Sequence, residues 1–222
     1  MPTALITGCD SGLGRSLAKQ YADGGCAVIA TYRDLGNRQP HPGNVRHYAL
    51  DVADGGSFSA LKREIGDEPL DLMISNAGIS GQVGALGGLD FEHAESLLQV
   101  NLIGALRLVD AFVDNVAAGR GRIVLISSRM GSIGLNASGG SYAYRASKAG
   151  LNALGRSLAI DLFPRGVTVV MIHPGWLRTD AGSPDAPFDA DESASRIRDV
   201  VRRLGNHETG HFLSYDGNLI PW

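Results

Sequence analysis

The 222-residue sequence has few of the features that mark secreted, membrane or nucleic-acid-binding proteins. Its two cysteines, Cys9 and Cys26, cannot form a disulfide framework, so we expect a reduced, cytoplasmic protein. No uninterrupted apolar run approaches the ~18 residues of a membrane span, and we expect no signal peptide. Twenty basic against 23 acidic residues give a net charge of -3, so no basic excess favours nucleic acid or an anionic membrane as a partner.

Glycine, in contrast, is abundant. The 30 glycines are about 14% of the chain, roughly twice the usual ~7%. They follow no collagen-like period, so we expect them at turns and where the backbone closely approaches a ligand. Apolar residues make up 44%, which is enough for a folded core, and no linker separates two cores. We therefore predict a single domain over residues 1–222.

Short apolar runs alternate with longer amphipathic ones. The short runs are continuously apolar, which is typical of strands covered by helices on both faces, and predict strands over 4–7, 27–32, 45–49, 70–75, 122–127, 168–173 and 211–214. The longer patterns predict helices over 12–24, 57–65, 91–118, 142–163 and 192–204. The alternation predicts an α/β, Rossmann-type, doubly wound and mainly parallel seven-stranded sheet, with ligands bound at the carboxyl ends of its strands.

A glycine-rich turn follows the first strand. Its spacing, Gly8-x3-Gly12-x-Gly14, differs from the usual Gly-x-Gly-x-x-Gly fingerprint of dinucleotide sites. The physical role is the same, because glycines let a diphosphate approach the backbone at a helix N-terminus. Two interpretations remain at this point: a βα turn without a ligand, or a diphosphate site that includes Ser11 and Leu13.

The end of the second strand bears on the choice of cofactor. In dinucleotide-binding folds an acid here accepts a hydrogen bond from the ribose 2′-hydroxyl, whereas an arginine accommodates a 2′-phosphate. Tyr32 stands where the acid is expected and Arg33 follows it, which favours NADP(H) and leaves NAD(H) as a second option. Asp34 offers an alternative for Arg33, namely a surface ion pair.

Polar residues also follow the third and fourth strands. Asp51-Val52 and Asn76-Ala77-Gly78 each fit a simple Asx-type turn. As ligand groups, Asp51 would accept from an adenine amino group and Gly78 would let the cofactor lie on the backbone. Both interpretations remain open from the residues alone.

A tyrosine and a lysine share one face of the predicted helix 142–163. Tyr144 and Lys148 are four residues apart, and the fifth strand ends at Ser127-Ser128. An ammonium beside a phenol favours the phenolate and lowers its pKa from about 10. We therefore expect Tyr144 to be tuned for proton transfer near neutral pH.

Together these motifs resemble the short-chain dehydrogenase/reductase family, and within it a subgroup of small carbonyl reductases. The resemblance covers the whole chain in order and rests on Thr7-Gly8-x3-Gly12-Leu13-Gly14, Asp51-Val52, Asn76-Ala77-Gly78, Asn101, Ser128, Tyr144-x3-Lys148 and Pro174-Gly175-x3-Thr179. It implies an NADP-preferring enzyme that reduces an aldehyde or ketone by hydride transfer, or oxidises the alcohol in reverse.

The resemblance also implies residue roles. Tyr144 would be the general acid/base, Lys148 would lower its pKa and hold the nicotinamide ribose, and Ser128 would polarise the carbonyl. Asn101 would anchor a water that relays protons to Lys148. Thr179, with the backbone after Pro174-Gly175, would hold the cofactor carboxamide. The further cofactor contacts in this segment would be Pro174, Gly175, Trp176 and Leu177.

Three serines are candidates for polarising the carbonyl. Ser127 and Ser132 are rivals, but Ser128 forms with Gly131 the Ser-x-x-Gly pattern of the family. The interval from Ser128 to Tyr144 is 16 residues, longer than is common in the family. We therefore expect a small insertion within 132–141 that rims the pocket.

The sequence also offers two rival functions. His207-Glu208-x-x-His211 matches a zinc-peptidase pattern, but that chemistry needs both histidines on one helical face, and Gly210 lies inside the motif. We expect a loop there and no metal. A dinucleotide-binding signalling or sensor protein of the same fold is the second rival. The tuned tyrosine argues against it, because binding alone does not require one.

The remaining expectations concern association and Cys9. The patterns 102–118 and 142–163 resemble helices that family members pair in dimers or tetramers, so we expect a homodimer or homotetramer. We expect a small carbonyl or alcohol substrate and neither nucleic acid nor membrane as a partner. Cys9 is either apolar filler under the glycine-rich turn or a thiolate near a helix N-terminus, whose oxidation would oppose cofactor binding.

Overall fold

The computed structural model describes residues 1–40, 43–178 and 185–222. All seven predicted strands form, and they pair in parallel in the order β3-β2-β1-β4-β5-β6-β7. The strands are β1 (Thr3–Ile6), β2 (Ala27–Tyr32), β3 (Val45–Ala49), β4 (Leu72–Ser75), β5 (Arg122–Ile126), β6 (Thr168–His173) and β7 (Phe212–Ser214). The helices are α1 (Gly12–Asp23), α2 (Gly55–Ile65), α3 (Phe91–Leu98), α4 (Gly104–Ala118), α5 (Tyr142–Leu162) and α6 (Ala190–Arg203). The predicted doubly wound α/β fold is confirmed.

Helices cover both faces of the sheet, which is why the strands are apolar on both sides. One core cluster joins the sheet to α1 and α6, and the other joins it to α2, α4 and α5. All six residues of β2 are buried. The strand order reverses between β1 and β4, and this switch point opens a crevice at the carboxyl ends of the strands.

Two helices begin earlier than predicted because of their caps. The Asp54 carboxylate accepts from the Gly56 N–H at 2.9 Å, so α2 begins at Gly55. The Asp189 carboxylate accepts from the Glu192 N–H at 2.7 Å, so α6 begins at Ala190. In both cases an acid satisfies N–H groups that the first helical turn leaves unpaired.

The predicted single helix over 91–118 is wrong in one respect. A π-helical turn, Gln99–Ile103, separates α3 from α4. By length and composition alone this helical stretch, Phe91–Ala118, could cross a membrane, contrary to our expectation from uninterrupted runs. However, Leu108 and Phe112 are fully buried in the core cluster shared with the sheet, as in the core helix of an α/β protein.

The zinc-like motif does not lie on an α-helix. Asn206–Glu208 forms a 3₁₀ turn, and Gly210 has a φ of 80°, just before β7. His207 Nε2 lies 2.7 Å from Glu208 Oε1. The two histidines therefore do not share the helical face that the zinc chemistry requires.

Candidate active site

A cleft of about 340 Å³ lies at the switch point between β1 and β4. Most of the predicted cofactor residues line it: Gly8, Ser11, Gly12, Leu13, Gly14, Arg33, Asp51, Val52, Asn76, Ala77, Gly78, Tyr144, Lys148, Pro174 and Leu177. The predictions missed other lining residues: Asp10, Leu50, Ile79, Ser80, Val100, Ile126 and Ser127. Gly175 and Trp176 are not among the lining residues, and Thr179 lies outside the described part of the chain.

The floor of the cleft is backbone that only glycine can form. Gly8 has a φ of 70°, and a Cβ there would lie 2.8 Å from the Ala77 Cα. A Cβ on Gly14 would collide with the Gly8 carbonyl. The first turn of α1 contains no acid, and within the described chain the Ser11 side chain caps none of its N–H groups. These N–H groups and this close approach fit a dinucleotide diphosphate.

Thr7 and Asn76 hold the glycine-rich turn against the end of β4. The Thr7 hydroxyl accepts from the Asn76 and Ala77 N–H groups, both at 3.0 Å. The Asn76 amide in turn donates to the Thr7 carbonyl at 2.9 Å and to the Gly8 carbonyl at 3.2 Å. Asn76 therefore forms more than a local Asx turn, because its side chain fixes the geometry of the cleft floor.

At the far end of the cleft, Asp10 organises the turn after β2. Its carboxylate accepts from the Arg33 N–H at 3.0 Å and the Asp34 N–H at 3.1 Å. The Asp34 carboxylate accepts from the Gly36 N–H at 2.8 Å. The ion pair between Arg33 and Asp34, left open above, is not present in the described residues, and Arg33 lines the cleft. The position of Asp10 between Gly8 and Gly12 is the sequence signal that could have revealed this role.

Asp51 forms a local turn at the edge of the cleft. Its Oδ1 accepts from the Ala53 N–H at 2.9 Å, which is the predicted Asx turn. The residue also lines the cleft beside Val52. Tyr32, in contrast, is buried, and its hydroxyl lies 3.0 Å from His47 Nδ1.

Ser128 is the serine that meets Tyr144. A hydrogen bond with the Ser128 side chain lowers the pKa of Tyr144, but burial has the larger effect and raises this pKa above its ordinary value of 10.0. The rivals are engaged elsewhere, because the Ser127 hydroxyl donates to Asn152 Oδ1 at 2.6 Å and the Ser132 hydroxyl accepts from the Leu135 N–H.

Lys148 differs from expectation. Its ammonium donates to the Ile126 carbonyl at 2.9 Å and lies 6.0 Å from the centre of the Tyr144 ring. Burial lowers the pKa of Lys148 to about 8. The expectation that Lys148 lowers the Tyr144 pKa is wrong for this structure, since burial is the larger effect on Tyr144 and raises its pKa.

The π-helical turn places Asn101 behind two residues that line the cleft, Gly78 and Ile79. The Asn101 amide donates to the Ile79 carbonyl at 2.9 Å and accepts from the Ile79 N–H at 2.8 Å. It also donates to the Ser147 hydroxyl at 3.1 Å. A Cβ on Gly78 would lie 3.1 Å from Asn101 Oδ1 and 3.7 Å from Lys148 Nζ, so these two groups converge on Gly78. Sequence periodicity did not reveal the wider turn.

The segment after β6 forms the remaining wall. The Ser193 hydroxyl donates to the Pro174 carbonyl at 2.6 Å, and Gly175 has a φ of 91°. Leu177 pairs with Phe188 in an isolated bridge and is buried. Trp176 remains 55% exposed, which agrees with its place outside the cleft wall.

Cys9 is apolar filler. Its side chain is 1% exposed, its thiol donates to the Ile6 carbonyl at 3.3 Å, and burial raises its pKa to about 12. The proximity of α1 does not produce a thiolate, because the loss of solvation dominates. The hypothesis of a reactive Cys9 is therefore wrong.

Comparison with known proteins decides the family. Residues 2–188 match the sequence profile described as short chain dehydrogenase. The chain belongs to the short-chain dehydrogenase family. Oxidoreductase chemistry is therefore established for it at the level of this family, and the resemblance read from the motifs is confirmed.

Three similar proteins illustrate the range of this short-chain dehydrogenase family. The C-signal protein of Myxococcus xanthus is 41% identical over 155 residues, which cover 69% of this chain and 93% of that protein. The carbonyl reductase Sniffer of Drosophila melanogaster has a TM-score of 0.88 and 29% identity over 100% of both chains. A short-chain dehydrogenase/reductase structure from Burkholderia multivorans with bound NADP has a TM-score of 0.89 and 30% identity, covering 100% of this chain and 99% of that one.

Proposed function

We propose that this short-chain dehydrogenase is an NADP(H)-preferring carbonyl reductase acting on aldehydes or ketones, or on the corresponding alcohols in reverse. The observation that carries the proposal is the hydrogen-bonded pair of Ser128 and Tyr144 beside a glycine-floored cleft. A nicotinamide cofactor bound in this cleft would supply or accept the hydride.

The chain itself has three tasks in this reaction. The turn Gly8–Gly14 and the N-terminus of α1 would hold the diphosphate of the cofactor, and Gly78 and Leu177 line the same cleft. The Ser128 hydroxyl orients the substrate carbonyl oxygen. Tyr144 donates its phenolic proton to that oxygen during reduction and removes it in the reverse direction.

Lys148 supports the proton transfer from a buried position. Since burial lowers its pKa to about 8, its ammonium gives up and regains a proton more readily near neutral pH than an exposed lysine would. Asn101 fixes the Ile79 backbone beside this ammonium through two hydrogen bonds. In this proposal Lys148 resupplies protons to Tyr144. Asn101 keeps the backbone beside Lys148 in place for that proton transfer.

The preference for NADP(H) is supported by Arg33. Its backbone is held by Asp10, and within the described residues its guanidinium forms no ion pair that would compete with a 2′-phosphate. A guanidinium binds a phosphate through two parallel hydrogen bonds. The bound NADP of the similar Burkholderia multivorans structure agrees with this choice.

The decisive experiment is a reduction assay on the purified protein. Aldehydes, ketones, quinones and alcohols are offered with each of NADPH, NADH, NADP⁺ and NAD⁺, and absorbance at the nicotinamide band is followed. Turnover of a carbonyl compound with NADPH supports the proposal. Tight NADPH binding without turnover of any substrate in the panel would favour the signalling alternative, which the intact Ser128–Tyr144 pair otherwise argues against.

We further propose that the protein associates through α4 and α5. Large apolar side chains are exposed on α4 at Leu106 (41%), on α5 at Ile160 (60%) and just after α5 at Phe163 (54%). Such a patch on paired helices favours a homodimer or homotetramer. The cytoplasmic location remains a prediction from cysteine usage.

A further inference from the structure

The segment after β7 folds back and reaches the loop that follows Ser128. We call residues 215–222 the return segment and residues 132–141 the substrate loop. The return segment pairs antiparallel with β7 through Leu213 and Leu219, and the Ile220 N–H donates to the Phe212 carbonyl at 2.8 Å. Its last residue, Trp222, then touches the substrate loop.

Trp222 makes two contacts that differ in kind. Its ring stacks on Phe212 with 5.8 Å between ring centres and 24° between planes. Its main-chain oxygen accepts from the Gly134 N–H at 2.8 Å. A Cβ on Gly134 would lie 3.0 Å from this oxygen, so glycine permits the close approach. The stacking of the Trp222 ring on Phe212 thus holds the main-chain oxygen of Trp222 against Gly134 of the substrate loop.

Successive hydrogen bonds connect this point to Ser128. The Leu135 N–H donates to the Ser132 hydroxyl at 3.2 Å, and the Ser132 N–H donates to the Arg129 carbonyl at 3.1 Å. The Gly131 N–H donates to the Ser128 carbonyl at 2.8 Å. The loop held by Trp222 is therefore continuous with the turn that aims the Ser128 hydroxyl.

The other end of the substrate loop is also held. Ser141 has a φ of 47°, in the left-handed region that non-glycine residues rarely adopt. Gln82 donates to its hydroxyl at 3.0 Å. α5, which carries Tyr144, begins at the next residue. The substrate loop thus lies between Ser128 and Tyr144 in the sequence and is restrained near both ends.

We propose that Trp222 is a positioning residue of the reductase site. By holding the substrate loop it fixes the separation of the Ser128 hydroxyl from Tyr144, without itself contacting the cofactor floor. This inference rests on the proposed carbonyl reduction. A small displacement of an aligned group lowers reaction rates sharply, so the effect is expected on the chemical step rather than on cofactor affinity.

The test compares Trp222→Ala, Trp222→Phe and, as a matched control, Leu219→Ala. Leu219 lies in the same return segment and is 68% exposed. Trp222→Ala is expected to lower kcat for a carbonyl substrate by roughly tenfold while the Kd for NADPH stays within about twofold. Trp222→Phe keeps a ring to stack on Phe212 and is expected to restore most of kcat, and the control is expected to match the parent.

Hydrogen exchange measured by mass spectrometry reports on the loop independently of turnover. Peptides covering 132–136 are expected to exchange faster in Trp222→Ala, while those covering the glycine-rich turn are unchanged. Unchanged loop exchange would overturn the proposal, and so would faster loop exchange with a parent-like kcat. A parent protein without carbonyl reduction would instead refute the proposed function, and the exchange data would still decide whether Trp222 holds the loop.

Discussion

The Lys148 ammonium lies 6.0 Å from the centre of the Tyr144 ring and donates a hydrogen bond to the Ile126 carbonyl. Two buried proton-bearing groups thus stand close together without a direct bond between them. Burial raises the pKa of Tyr144 and lowers that of Lys148, and both shifts favour the neutral forms. This relationship leads to a test of each residue.

Replacing Tyr144 with Phe removes the phenolic proton that the proposed mechanism gives to a carbonyl oxygen. We expect kcat to fall by roughly 10²- to 10⁴-fold, because proton transfer from a positioned side chain contributes about that much. NADPH affinity, measured by fluorescence titration, is expected to remain. Tyr142→Phe is the control, since Tyr142 is 44% exposed at the start of α5. Parent-like turnover of Tyr144→Phe would refute the mechanism.

The buried Lys148 makes stability depend on pH. Its pKa is about 8 in the folded protein against 10.5 for the ordinary group, so the unfolded chain binds more protons between these values. The free energy of unfolding therefore rises with pH across this window, and the cost of burying the charge is largest below pH 8.

Lys148→Met removes this dependence. Its stability relative to the parent, from urea unfolding, is expected to be greatest at pH 7 and to decline by up to about 3 kcal/mol as the pH approaches 10.5. A constant difference across this range would show that folding leaves the pKa of Lys148 unchanged, and would contradict the effect of burial.

Arg33→Ala tests the cofactor choice. The guanidinium is expected to bind a 2′-phosphate through charge-assisted hydrogen bonds of about 1.5–3 kcal/mol. Its loss should therefore weaken the binding of NADPH by roughly 10- to 100-fold. NADH lacks this phosphate and is expected to change little. Calorimetry with both cofactors measures the two constants, and equal losses would exclude contact between Arg33 and the phosphate.

Ile160→Asp tests the association of α4 and α5. Ile160 is 60% exposed on α5, and a carboxylate there would be desolvated in any helix-to-helix interface. Light scattering is expected to show a smaller particle than the parent, with Leu86→Asp (Leu86 is 72% exposed in the loop after β4) as the control that leaves the assembly intact. A parent protein that is already monomeric would remove the prediction.

The two cysteines are expected to react at different rates. Cys9 is 1% exposed and its thiol pKa is about 12, whereas burial covers Cys26 only in part. Iodoacetamide applied to the folded protein should label Cys26 first, as followed by peptide mass spectrometry. Rapid labelling of Cys9 would restore the redox hypothesis that the structure contradicts.

The strands and the cleft floor could be predicted from sequence because their signals are local. Continuous apolar runs gave the strands within about two residues, and the glycines after β1 marked the closest backbone approach. The pKa of Tyr144 could not be predicted in the same way, because spacing from Lys148 says nothing about burial. The contact of Trp222 with Gly134 joins distant positions that no periodic pattern connects.

The π-helical turn at Gln99–Ile103 changes the phase of the helix that contains it. Five turns of an ideal α-helix take about 18 residues, but the buried stripe from Leu97 to Val116 advances 19 residues through Asn101, Ala105, Leu108 and Phe112. The extra residue behaves as an insertion that the wider turn absorbs. Deleting one residue there would rotate α4 by about 100° relative to α3. The same extra residue therefore sets both the side of α4 that faces the core and the direction of the Asn101 amide. A change in this turn would alter both at once.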